Sequence, residues 1–262
     1  GKKTVHDVDG DQTGFAAICE ALKECPNLNS IDFSDIGMGP KGAVLTSAML
    51  SSPKINAALT SLSVSGNFIF GSRQEGQGYR KKTVHDVDGD QTGFAAICEA
   101  LKECPNLNSI DFSGIGMGPK GAVLTSALLS SPEMMAAGIT SLIIGGNPIG
   151  GEGAQALVDV LPQTQIKELG IGKDLRLRLA EAWESVGASN QGLLAGGAML
   201  ISLWLRSPEI MAAITSLSVS GKVIFGSKDM SQNNKTQVHD VDNDQTGFAA
   251  ICGAMKECHN LK

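Results

Sequence analysis

Basic charge, aromatic side chains and long apolar runs are all scarce in this chain, and each shortage removes a class of function. Lys and Arg number 21 against 27 Asp and Glu, for a net charge of −6. A general nucleic-acid binder needs a basic face to displace condensed counterions, so that role is excluded as an expectation. The most apolar stretch, Gly192–Leu205, is too short to span a bilayer and is expected as a buried helix. Aromatic residues make up 4% of the chain. No HExxH, P-loop or Ser–His–Asp set appears, so no catalytic residue is assigned. The charged fraction of 18% beside 42% hydrophobic residues still describes a globular chain.

Repetition is what the chain has in abundance. Lys2–Ser34 recurs unchanged at Lys81–Ser113, and a worn third copy runs from Lys235 to Lys262. A repeated block is one unit that buries its apolar face against its neighbours. Within and between the copies a finer grammar returns six times, centred on Ile31, Leu62, Ile110, Leu142, Leu169 and Leu217, each inside an LxxLxL-like run. Alternate apolar positions predict short strands with one buried face. Strands a full repeat apart must be parallel and joined by helices, expected at Gly14–Lys23, Gly42–Leu50 and Gly153–Val160. Two gaps are longer than the rest, so inserted loops are expected near 71–92 and 173–190, with a third near 225–246.

The pattern is most complete at Ile139–Leu157, where Asn147, Ile149, Gly150, Gly153 and Ala154 all fall in place. It resembles the ribonuclease-inhibitor-like leucine-rich repeats. That resemblance implies an α/β leucine-rich-repeat solenoid (horseshoe), with parallel strands on the concave face and helices outside. It implies an asparagine ladder as well, although only Asn67 and Asn147 of the six equivalent positions are asparagine. It further implies a non-enzymatic scaffold that binds a protein partner. A GTPase-activating role follows only by analogy, because Ran GTPase-activating proteins share the fold. The chain reads as about six repeats of a longer array or larger assembly.

Three constellations carry candidate chemistry. Asp9, Asp11, Thr13 and Glu20, repeated as Asp88, Asp90, Thr92 and Glu99, have the spacing of a calcium loop, with Gly14 and Gly93 at its turn position. In the third copy Gly253 replaces the glutamate. Calcium is therefore the one cofactor the chain suggests; the competing reading is that Asp11 or Thr13 caps the following helix. Gly37-x-Gly39-x-x-Gly42 and Gly116-x-Gly118-x-x-Gly121 mimic a dinucleotide turn, but Pro40 and Pro119 each remove an amide it would need. His6, His85 and His239 are read as solvated loop residues.

The outward strand positions Asp32, Ser63, Asp111 and Ile143 form the expected partner-facing row, small and without aromatic or Arg residues. Contacts are expected at the inserts too, including Trp183. The paired cysteines match no common zinc spacing, and buried free thiols place the chain inside the cell.

Overall fold

Each LxxLxL run forms a three-residue strand; the central side chain is buried in the first five, and Leu217 in the last is half-buried. The computed structural model describes residues 9–75, 82–179, 181–188, 193, 195–219, 228–232, 235–239, 245–258 and 260–261. Strands β1 (Ser30–Asp32) and β2 (Ser61–Ser63) are followed by a hairpin of β3 (Ser72–Glu75) and β4 (Lys82–His85). Then come β5 (Ser109–Asp111), β6 (Ser141–Ile143), β7 (Glu168–Gly170) and β8 (Arg176–Arg178). One sheet has the order β1-β2-β5-β6-β7-β8, parallel throughout except for the antiparallel β7–β8 pair. Ile31, Leu62, Ile110, Leu142, Leu169 and Leu177 share one register across it and all lie in the core.

The helices alternate with these strands. They are α1 (Thr13–Leu22), α2 (Pro40–Leu50), α3 (Pro53–Ala58), α4 (Thr92–Lys102), α5 (Pro119–Leu129), α6 (Pro132–Ala137) and α7 (Gly150–Val160). Helices α8 (Ala195–Leu205), α9 (Pro208–Ala213) and α10 (Thr246–Glu257) follow. Five of them begin on proline, which fits a first-turn position because the amide it lacks has no partner inside the helix. The longer helices stack in succession as α1, α2, α4, α5, α7, α8 and α10. The apolar run expected as a buried helix is α8, with Trp204 and Leu205 essentially inaccessible. Among the described residues no helix is long and apolar enough to cross a membrane.

Within their described residues the expected inserts carry short strands. The first contains the β3–β4 hairpin. Its polar sequence, Ser-Arg-Gln-Glu against Lys-Thr-Val-His, offers little alternation to read. The second contains β8 and β9 (Ser185–Gly187), and the third contains the antiparallel pair β11 (Lys228–Gln232) and β12 (Lys235–His239). Strand β9 pairs in parallel with β10 (Ser216–Ser218), apart from the main sheet. Its partnership exposes a repeat that the sequence hides: β9, α8, α9 and β10 reproduce β1, α2, α3 and β2 at a constant offset, Pro53 becoming Pro208 and Leu62 becoming Leu217. The strand itself escapes notice because Trp183, Val186 and Ala188 stand where Leu28, Ile31 and Phe33 do in the first copy.

Aromatic rings, few as they are, concentrate at the joints. Phe94 lies 5.0 Å from both Phe70 and Phe112, tying α4 to the loop before the second identical block and to the end of strand β5 within it. Trp183 and Trp204 meet edge to face at 5.6 Å, and the Trp204 indole donates to the Arg178 carbonyl.

Candidate functional site

The acidic loops are placed by backbone chemistry. Asp9 and Asp88 adopt left-handed conformations, φ 64° and 51°, which aspartate tolerates better than most residues. Each carboxylate reaches the start of a helix about thirty residues downstream. Asp9 Oδ1 accepts from the Gly39 and Gly42 amides at 3.1 and 3.0 Å, and Oδ2 from Lys41 at 2.7 Å. Asp88 repeats this with Gly118, Gly121 and Lys120 at 2.8, 2.9 and 2.7 Å. The helix N-terminus is the positive end of its dipole, and a carboxylate there satisfies orphan amides. The GxGxxG turns thus hold an internal carboxylate at the place where a dinucleotide motif would hold a phosphate.

The other six calcium-loop candidates are distributed differently. Asp11 and Asp90, one residue ahead of the N-cap glutamines Gln12 and Gln91, each accept the first helical amide, that of the threonine two residues on, at 2.9 Å; the Thr13 amide and hydroxyl hold the Asp11 carboxyl below its usual range. Thr13 and Thr92 open those helices. Glu20 and Glu99 lie outside on the helix surface, paired with Lys23 and Lys102 at 2.6 Å. The cap reading describes the geometry of these loops, with one addition: Asp9 and Asp88 serve the next helix, a long-range role that local spacing does not reveal. Among the described residues no group of three or more His, Cys, Asp or Glu side chains is placed to hold a metal ion. Asp242 and Asp244 of the third copy lie outside the described residues. Asp88→Ala should cost about 1–2 kcal/mol, as for a lost helix cap. Urea denaturation should show the same loss with calcium or with a chelator; a loss confined to calcium buffer would make Asp88 a ligand.

The uncovered face of the sheet gathers the partner-facing row. Asp32, Ser63, Asp111, Ile143 and Gly170 stand in register across five strands, with Arg176 of β8 next in line. A parallel row runs Ser30, Ser61, Ser109, Ser141, Glu168 and Arg178. The polar groups bond to one another: Ser34 donates its amide and hydroxyl to Asp32, and its Oγ lies 2.7 Å from Ser63 Oγ. The Ser34 hydroxyl, then its amide, hold the Asp32 carboxyl below the usual range. Asp111 receives the same two bonds from Ser113. The two arginines correct the expectation of a face without Arg; they were hidden because β8 belongs to a segment read as a loop. Trp183 is not part of this face, since its ring packs against Trp204 and the core.

His85 departs from the solvated loop expected of it. Its ring stacks on Phe68 at 4.7 Å, and its Nδ1 is buried with no hydrogen-bond partner among the described residues. Burial depresses its pKa. Nearby, Arg73 donates to the His85 carbonyl and to Asp86. The fold therefore favours neutral imidazole, while the unfolded chain titrates near the ordinary value of about 6.5. This contribution is present above about pH 6.5 and is lost as pH falls below it. Melting curves from neutral pH to about pH 5 should fall more steeply for the wild type than for His85→Leu. His6, and the side chain of His239, lie outside the described residues.

All six cysteines are free thiols, with Cys19, Cys98, Cys104 and Cys258 buried. Burial pushes the Cys104 thiol up to about 12, and raises Cys98 as well.

The asparagine positions hold neighbouring turns together. Asn147 Oδ1 accepts from the Ile115 and Met117 amides at 3.0 and 3.1 Å, and its Nδ2 donates to the Phe112 and Ile144 carbonyls at 2.6 and 3.0 Å. A family model described as Leucine Rich repeat matches residues 139–158, the stretch that holds β6, this asparagine and most of α7. No curated protein matches the chain. The mostly parallel sheet with alternating helices agrees with that match, and a leucine-rich repeat is present at residues 139–158.

Proposed function

We propose that this chain is a solenoid of ribonuclease-inhibitor-like leucine-rich repeats that works without catalysis, as a recognition surface for a protein partner inside the cell. The observation that carries the reading is the uncovered sheet face, two registered rows of mainly polar side chains in which Ile143 is the one apolar side chain. Acids stand on β1, β5 and β7 (Asp32, Asp111 and Glu168), and Arg176 and Arg178 close the far end. A face without large apolar anchors suits a polar partner with charges of both signs, held by salt-sensitive contacts. Free buried thiols support a reducing compartment. For the calcium alternative, no group of three or more His, Cys, Asp or Glu side chains among the described residues is placed to hold the ion.

The test is crosslinked capture from a cell extract, comparing wild type with a Ser63→Arg, Asp111→Arg variant and with Val123→Glu, a change at an exposed position of α5. A partner retained by wild type and by Val123→Glu, but weakened about tenfold by the sheet-face variant, supports the reading, since tenfold corresponds to about 1.4 kcal/mol. Equal retention by all three folded proteins would remove the sheet face from consideration.

A further inference from the structure

The chain between the β3–β4 hairpin and α4 is fastened to two turns that belong to other repeats. The Asp86 and Asp90 amides donate to the Gly71 and Phe70 carbonyls at 3.0 and 2.9 Å, in the turn after β2. The Asp88 amide donates to the Gly116 carbonyl at 3.2 Å, in the turn after β5. Its carboxylate holds the three amides at the start of α5. His85, the last residue of β4, is wedged between the same two turns. Its ring stacks on Phe68 at 4.7 Å. It also lies against the main chain of Gly116, where an added Cβ would come within 3.0 Å of the His85 Cβ and 3.1 Å of Nδ1. Gly116 has a left-handed φ of 83°, which a glycine takes without strain.

The Nδ1 enclosed there accepts no hydrogen bond among the described residues. Neutral imidazole tolerates this with its proton on Nε2, but imidazolium carries a proton on both nitrogens and would bury an N–H with no acceptor. The charges around the ring do not offset that cost. On β3, Arg73 donates to the His85 carbonyl and to Asp86 at 3.3 Å, so the adjacent carboxylate already has a cation. Asp88 is committed to the first amides of α5, among them that of Lys120. The turns after β2 and β5 carry no titratable side chain between Val64 and Gly71 or between Ser113 and Gly118. Asp35, in the turn after β1, lies against Gly66. Glu75 and Lys82 stand at the other end of the hairpin. Burial is what lowers the pKa of His85.

We propose that His85 is a proton-operated latch: on taking up a proton it leaves Phe68 and Gly116, and the hairpin stem and the start of α5 are released while the sheet stays folded. In the released segment the ring meets water and titrates near the ordinary value of about 6.5. In the latched segment it titrates lower. The latch is therefore favoured above about pH 6.5 and gives way as pH falls toward the latched value, by at most about tenfold per pH unit. Release bares the Phe68 ring together with the Gly118, Lys120 and Gly121 amides that Asp88 holds. Nothing in this device involves the sheet face, whose proposed role would survive the loss of the latch.

The experiment is amide hydrogen exchange followed by NMR between pH 7.5 and pH 5, corrected for the intrinsic pH dependence of exchange, with the His85 ring protons titrated over the same range. In the wild type the Asp86, Asp88 and Asp90 amides should lose about fivefold or more of their protection. The Phe112 and Ile144 amides, bonded across the sheet to the Ile143 and Gly170 carbonyls, should keep theirs. His85→Phe, which retains a ring against Phe68, should show no such loss, and the wild-type imidazole should titrate below its ordinary value. A smaller loss, or one shared equally by Phe112 and Ile144, overturns the proposal. So does a His85 that titrates at or above the ordinary value, or a loss that a folded His85→Phe retains. All but the last are read on the wild type alone, so a variant that fails to fold still leaves the latch open to refutation.

Discussion

Gly93→Ala should destabilise the protein by about 2–3 kcal/mol, while the same change at Gly14, in an identical stretch of sequence, should stabilise it by up to about 1 kcal/mol. The two glycines occupy the same position of the same helix, so local propensity cannot tell them apart. Alanine is favoured over glycine inside a helix at both sites. What differs is the neighbour: at Gly93 the new methyl would press on the Pro40 carbonyl and the Ala43 methyl. Those are backbone and near-backbone atoms that cannot rotate away, so α4 must lift from α2 and loosen the Phe70–Phe94–Phe112 stack. Urea midpoints at low protein concentration would show the two variants moving in opposite directions. A shift of the same sign in both would mean that α2 and α4 are not in the close contact described.

That contrast also marks what the sequence can and cannot say. Strand centres such as Ile31, Leu62 and Leu142 are legible because burial of alternate residues leaves a period in the chain. The outward row Asp32, Ser63, Asp111 and Ile143 follows from the same period, and the structure sets it in register. Strand β9 is not legible, because Trp183 and Ala188 fill apolar positions with side chains of very different size. The β3–β4 hairpin is held by backbone pairing, which leaves no apolar signature. The carboxylates of Asp9 and Asp88 were visible as candidates, but their partners are amides of glycine and lysine thirty residues away, and an amide carries no side-chain mark.

Asn67→Ala is the substitution expected to cost most, about 3–5 kcal/mol, from a side chain that carries no charge and reaches no solvent. Asn67 is fully buried. Its Oδ1 accepts the Met38 amide at 2.9 Å, and its Nδ2 donates to the Phe33 and Val64 carbonyls at 2.6 and 2.9 Å. It therefore joins the turn after β2 to the turn after β1, where Ile36 stands in place of an asparagine. Removing it strands an amide and two carbonyls in the interior, each worth roughly 1–3 kcal/mol unless water enters. Asn67→Asp keeps the acceptor but turns a carboxylate toward those two carbonyls, so it should be at least as damaging as alanine. Denaturant titration of the three proteins should rank wild type, then alanine, then aspartate. If alanine cost less than about 1 kcal/mol, the left-handed residues Asp35, Gly37 and Gly66 would be holding both turns unaided. One asparagine then would not be serving two repeats, and Asn147, with its matching bonds to Phe112 and Ile144, should prove equally dispensable.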